Sequence, residues 1–236
     1  MMNNILRRPF RYCNYNSVYW LIGINVLVFF LMNMIGRNIV FTIKLNPSRL
    51  PEYYQRLPQV MQVNLQQALS IIPLTVIHGW IWSFVTYMFM HGGISHILFN
   101  MLGLFIFGRH VENQMGTKEF LLYYFVTGTL AGVFSFLVYY FTGNLRVALV
   151  GASGALYAVN FAYAVFFPDS VIYIWGILPL RAPVMVLVFT VISIFSAVSG
   201  SGGNVAHLTH LAGFGFGWIY FMVRFGINPW QRLTRR

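Results

Sequence analysis

The chain has 236 residues, of which 58% are hydrophobic and only 8% charged, against roughly 25% charged in an ordinary soluble domain. A chain of this size has too little interior to hide 23 Phe, 14 Tyr, 6 Trp and 11 Met behind a wettable surface, so a soluble globular fold is effectively excluded, as is intrinsic disorder. The net charge of +11 does not read as nucleic-acid binding, because the cations punctuate apolar runs; their expected partners are anionic membrane lipids.

Residues 1–18 form a basic leader with Arg7, Arg8 and Arg11. The lone Cys13 within it has no partner for an internal disulfide and reads as structural or incidental. The first run long enough to cross roughly 30 Å of hydrocarbon covers residues 19–36. It lacks a small-residue cleavage pattern and reads as a retained helix, not a signal peptide. Residues 37–70, with Arg37, Lys44, Arg49, Glu52 and Arg56, three prolines and a Gln/Asn-rich stretch, read as an extramembrane loop containing amphipathic helix. Residues 71–90 are apolar but carry Pro73, His78, Trp80, Trp82 and Ser83, a composition that suits an interfacial belt better than a further span. Further apolar runs cover 94–110, 119–142, 146–167, 182–198 and 206–225, and a basic tail closes the chain at 226–236. Six helices keep the leader and the tail on one side, the cytoplasm, together with Arg109, Lys118 and Arg181; a seventh would separate the two arginine-rich ends. The expectation is an all-α membrane protein with six transmembrane helices over 19–225 and a large outer loop over 37–93, in a bacterial inner membrane.

Polar residues at membrane depth are costly, so their placement carries functional information. On the helix from 94 to 110, His96 and Asn100 are four apart and share a face, while His91 belongs to the approach. On the helix from 146 to 167, Ser153 and Tyr157 share a face within Gly151-Ala152-Ser153-Gly154. On the last helix, His210 lies three residues before Gly213, which pairs with Gly217 in a close-packing stripe. Each motif alone also reads as helix capping or small-residue packing. With six helices, all three helices run inward from the outer face, and His96, Asn100, Ser153 and His210 fall roughly 5 to 12 Å below it at 1.5 Å per residue. A hydroxyl, an imidazole and two hydrogen-bond donors at one depth are what acyl transfer requires.

These residues resemble the rhomboid family of intramembrane serine proteases, over about residues 15 to 225. His91, His96 and Asn100 fit its His-x4-His-x3-Asn motif, Gly151-Ala152-Ser153-Gly154 with Tyr157 its nucleophile motif, and His210 with Gly213 and Gly217 its general-base helix. The resemblance implies a serine endopeptidase that cleaves single-span membrane proteins near the top of their helix, at small residues, with a Ser-His dyad. It implies no cofactor and no metal, with Tyr157 orienting the imidazole by packing where a triad has a carboxylate. One departure stands out: the Trp-Arg pair expected before the second helix is Trp82-Ser83 here. Glu112 matches a family position at the inner end of the second helix and reads equally as a solvated carboxylate. His207 shares a face with His210 but lacks the Ala-Gly that follows it. Bis-His haem ligation by His96 and His210 is the competing reading, and it leaves Ser153 and the glycines without a role. Ser199-Gly200-Ser201-Gly202-Gly203 reads either as a linker or as a lid over the site.

Overall fold

The computed structural model describes residues 7–50, 54–55, 60–174, 176–198 and 204–234, so the segment 199–203 lies outside the described residues. Helix α1 (Ser17–Leu31) continues through a π-helical stretch to Gly36. A two-stranded antiparallel sheet of β1 (Val40–Lys44) and β2 (Val60–Asn64) follows, then the short helices α2 (Leu65–Ala68), α3 (Pro73–Val76) and α4 (Ser83–Thr86). The second long helix is built from α5 (Ile94–Gly103), a π-helical stretch Leu104–Gly108 and α6 (Arg109–Met115). After it come α7 (Thr117–Phe141), α8 (Ser153–Phe166), a hairpin of β3 (Val171–Ile174) and β4 (Leu178–Arg181), α9 (Ala182–Val198), α10 (Asn204–Tyr220) and α11 (Pro229–Leu233).

Among the described residues, three helices are long and apolar enough to cross a membrane: Ser17–Gly36, Ile94–Met115 and Thr117–Phe141. Ser153–Phe166 and Ala182–Ala197 are shorter apolar helices. Their outward faces carry large side chains that pack against no core, including Trp20, Leu27 and Phe30 on α1 and Leu187 and Phe195 on α9. Hydrocarbon is the solvent such faces require. Inside, α10 packs against α7, α8 and α9, and Ser135 of α7 hydrogen-bonds Thr209 of α10 at 2.5 Å.

Where the expected loop 37–70 was to hold amphipathic helix, the chain instead pairs Phe41 with Val63 and Ile43 with Met61 across β1 and β2. The cause is local: Val40, Thr42, Ile43, Val60 and Val63 are β-branched, and Phe41-Thr42-Ile43-Lys44 and Met61-Gln62-Val63-Asn64 alternate apolar with polar, which buries Ile43 and Val63 on one face with Leu45, Leu50, Ile72, Leu74 and Leu145. Among the described residues there, helix is confined to a short 3-10 turn at Pro47–Arg49 and to α2, which opens on a capping box between Asn64 and Gln67. Residues 71–90 form no continuous helix. Trp82 Nε1 donates to the Ala68 carbonyl (3.0 Å), Thr86 Oγ1 to that of Leu69 (2.7 Å) and Ser83 Oγ to that of Trp80 (2.7 Å). The position where the family pattern has Arg is thus a buried serine that bonds its own turn.

Glu112 is not a solvated carboxylate. It is buried, and its oxygens accept from Ser17 N (2.7 Å), Ser17 Oγ (2.9 Å), Val18 N (3.0 Å) and Thr117 Oγ1 (2.5 Å). Helix α1 begins without a side-chain cap of its own at Asn16, and a carboxylate 95 residues away in sequence satisfies its first N–H groups. Glu119 is buried near the same end of the bundle, where it accepts from Tyr220 Oη (2.5 Å) and from Arg224 Nε and Nη2 (2.7 Å each).

Candidate active site

The approach to α8 sets the position of Ser153. Leu149 exchanges both backbone hydrogen bonds with Ile71, at 2.8 and 3.1 Å, and Gly151 N donates to the Tyr87 carbonyl at 2.9 Å. This extended tether delays the helix, so Ser153 is the first residue of α8 and not, as expected from the apolar run at 146, a residue two turns inside it. Gly151 makes the turn with φ of 116°, a region that L side chains rarely adopt. A Cβ there would also stand 2.7 Å from His96 Nε2 and 3.8 Å from Ser153 Oγ. The second reason for glycine is therefore that His96 occupies the space.

Close helix packing brings His210 to Ser153. A Cβ on Gly213 would collide with the carbonyl oxygen of Gly154, and one on Gly217 would stand 2.7 Å from Tyr123 Oη. The small-residue stripe on α10 thus lies against α8, as the spacing predicts. One turn earlier, His210 Nε2 is 2.9 Å from Ser153 Oγ. Tyr157 lies flat on the imidazole, with ring centroids 4.2 Å apart and planes 13° apart, and Phe214 backs the tyrosine at 4.9 Å. Among the described residues no carboxylate hydrogen-bonds Ser153 or His210, and His210 Nδ1 is buried without a partner. His207 meets His210 edge-on at 5.8 Å; among the described residues, the hydroxyl of Ser153 is engaged by His210.

On α5, Asn100 Nδ2 donates to the His96 carbonyl one turn earlier (2.8 Å), which leaves Asn100 Oδ1 buried without a partner among the described residues. His96 Nδ1 accepts from Gly92 N at 3.4 Å, and the His91 ring sits 5.1 Å from that of His96, edge to face. His91 is buried behind His96 and does not line the cavity described next. That cavity, about 540 Å³, lies between α5, α8 and α9 and is lined by Ser153, His210, His96, Asn100 and Tyr157 together with Phe99, Met185 and Phe189. Residues of three motifs far apart in sequence therefore share one chamber. Gly154 faces away from it, toward Tyr87 Oη, Ala131 and Thr209, and serves packing.

Two participants escaped the sequence reading. Tyr87, fully buried, donates to the Gly128 carbonyl at 2.7 Å while its own carbonyl holds Gly151. Asn160 lines the same cavity two turns below Ser153. Its signal was available, since Ser153, Tyr157 and Asn160 keep a spacing of four and three on an otherwise apolar helix.

A family model described as the rhomboid domain matches residues 78–227. A Bacillus subtilis protein, YdcA, named as a candidate rhomboid protease, is 30% identical over 142 residues, covering 59% of this chain and 67% of the relative. The rhomboid protease GlpG of Haemophilus influenzae is 32% identical over 132 residues, covering 56% and 65%. RHOMBOID-like protein 1 of Arabidopsis thaliana is 30% identical over 149 residues, covering 63% of this chain but 36% of the relative.

Proposed function

The chain belongs to the rhomboid family, and from that premise we propose that it is an intramembrane serine endopeptidase that cleaves single-span transmembrane proteins near the outer membrane face. The observation that carries this reading is the 2.9 Å contact between His210 Nε2 and Ser153 Oγ inside a cavity of apolar helices. His210 takes the hydroxyl proton as Ser153 Oγ bonds to the scissile carbonyl carbon. When the tetrahedral intermediate collapses, the C–N bond breaks and His210 returns the proton to the leaving amine. Water then attacks the acyl-enzyme ester with His210 again as base, releasing the carboxylate product and restoring Ser153. Negative charge on the carbonyl oxygen is met by Asn100, by His96 and by the Ser153 backbone N–H, which as the first amide of α8 has no intrahelical acceptor. Tyr157 holds the imidazole plane by stacking, so the pair works without a third, acidic member. The reaction draws on no metal or cofactor.

In this reading six segments span the membrane: α1, α5 with α6, α7, α8, α9 and α10. Residues 1–18 and 226–236 are cytoplasmic, 37–93 lie on the outer side, and the membrane is a bacterial inner membrane. The exposed apolar faces of α1 and α9 and the cationic ends support this placement. The test is labelling with a fluorophosphonate probe, mass mapping of the adduct, and cleavage of a membrane-embedded substrate in liposomes. Adduct on Ser153, with Ser153→Ala and His210→Ala both folded and inactive, is the expected result. An active Ser153→Ala overturns the mechanism.

A further inference from the structure

A second cavity, of about 610 Å³, lies on another face of α9 and shares no lining residue with the chamber that holds Ser153. Helix α9 contributes Val184, Leu187 and Thr190 to it, and α10 contributes Gly215 and Trp218. Helix α11 adds Trp230, whose ring stands 6.5 Å from that of Trp218. Gly215 is what opens the groove, since a Cβ there would meet nothing within 4 Å. Two of the lining polar groups bond within their own segments: Thr190 Oγ1 donates to the Val186 carbonyl (2.8 Å) and Trp218 Nε1 to Met222 Sδ (3.1 Å). None of the chain's four carboxylates lines the groove. Such walls suit an alkyl chain and leave a peptide's or sugar's polar groups without partners.

Length and charge identify the occupant. From Pro183 to Thr190 the lining of α9 rises through seven residues, about 10 Å, against about 15 Å for the hydrocarbon of one leaflet. At the end where α9 begins, Arg181 stands two residues before the lining Pro183; on α11, Arg232 adjoins the lining Leu233. Both arginines are exposed. Among the described residues neither pairs with a carboxylate, whereas Arg224 is held by Glu119. We infer that this groove is a binding site for one anionic phospholipid of the inner leaflet. An acyl chain lies along α9 and α10 over Gly215, and Arg181 and Arg232 take the phosphate and the net negative charge of the head group. A zwitterionic lipid offers the same chain but carries a cation of its own beside the arginines, and so binds less well. The choice of leaflet rests on the six-span reading given above; the site itself requires nothing of Ser153 or His210.

The experiment uses the full chain purified in detergent, with phosphatidylglycerol or phosphatidylcholine of identical acyl chains added and binding read by native mass spectrometry. One phosphatidylglycerol is expected to bind saturably, about 20-fold more tightly than phosphatidylcholine, from roughly fivefold per arginine. Arg181→Gln and Arg232→Gln should each lose about fivefold for phosphatidylglycerol and little for phosphatidylcholine. Gly215→Leu fills the groove from open space and should abolish the saturable site while the unfolding temperature in lipid-free detergent holds. Phosphatidylglycerol with a diazirine on its acyl chain should crosslink to 183–190 and 214–218. Equal affinity for the two lipids overturns the inference, as does wild-type binding by Gly215→Leu or crosslinking confined to other helices. A dimer of the wild type that Gly215→Leu dissociates would assign the groove to a second copy of the chain and overturn it too. No arm measures cleavage, so a failed lipid site leaves the protease reading standing, and an inactive Ser153 leaves the lipid site standing.

Discussion

At Gly151 two constraints meet, a φ of 116° and a His96 ring where a Cβ would be. Gly151→Ala therefore strains the turn and displaces the ring of His96, the proposed oxyanion donor, together. The expected outcome is a kcat at least about tenfold lower, with residual probe labelling of Ser153 showing that the nucleophile survives. Asn100→Ala removes the Nδ2 donor without a backbone change; slowing of roughly 10- to 1,000-fold in kcat with KM little changed is expected, and a loss confined to KM would refute its role at the oxyanion. Tyr157 presents a ring, not a charge, to His210. Tyr157→Phe is thus expected to keep most of the activity, whereas Tyr157→Leu loses a stacking contact worth about 0.5–1.5 kcal/mol and with it the imidazole orientation. Comparing the two by kcat separates stacking from any part played by the phenol.

The contact between α8 and α10 is what brings two distant sequence positions, Ser153 and His210, to within 2.9 Å of each other. Gly213 touches the Gly154 carbonyl and Gly217 the Tyr123 hydroxyl, which itself donates to the Ala158 carbonyl at 2.6 Å. Gly217→Val forces that tyrosine away; a destabilisation of about 1–3 kcal/mol is expected, read as a lower unfolding temperature in detergent, with cleavage falling as His210 retreats. These contacts were legible in advance because small residues four apart on an apolar helix mark the face where a neighbouring helix comes close. The long runs were legible too, since length and hydrophobicity decide them. The β1–β2 pairing was not, because each alternating run is only four residues long and lies among charged, proline and Gln/Asn residues that read as loop. Nor was the late start of α8, which depends on the bonds between Leu149 and Ile71, a contact that no local pattern encodes. The burial of Glu112 is of the same kind: its partners, Ser17 and Val18, lie about a hundred residues away.

For the molecule as a whole, the parity of its crossings governs everything said about depth. Reporter fusions at the two ends should give the same compartment, and a tag in the 37–70 loop the opposite one; ends on different sides would remove the argument that Ser153 and His210 lie near the outer face. The carboxylate of Glu112 adds a temporal consequence. Helix α1 leaves the ribosome long before residue 112, so its first amides must stay hydrated or mobile until the end of the second long helix arrives to accept them. The first helix can therefore enter the bilayer early but can be fixed in its vertical position only late. Supplied as a separate polypeptide, α1 should still be captured by the remainder of the chain when Glu112 is present, and not by a Glu112→Ala remainder, with co-purification as the readout. The latch ties the fixing of α1 to the completion of the second long helix, ahead of α7 to α10.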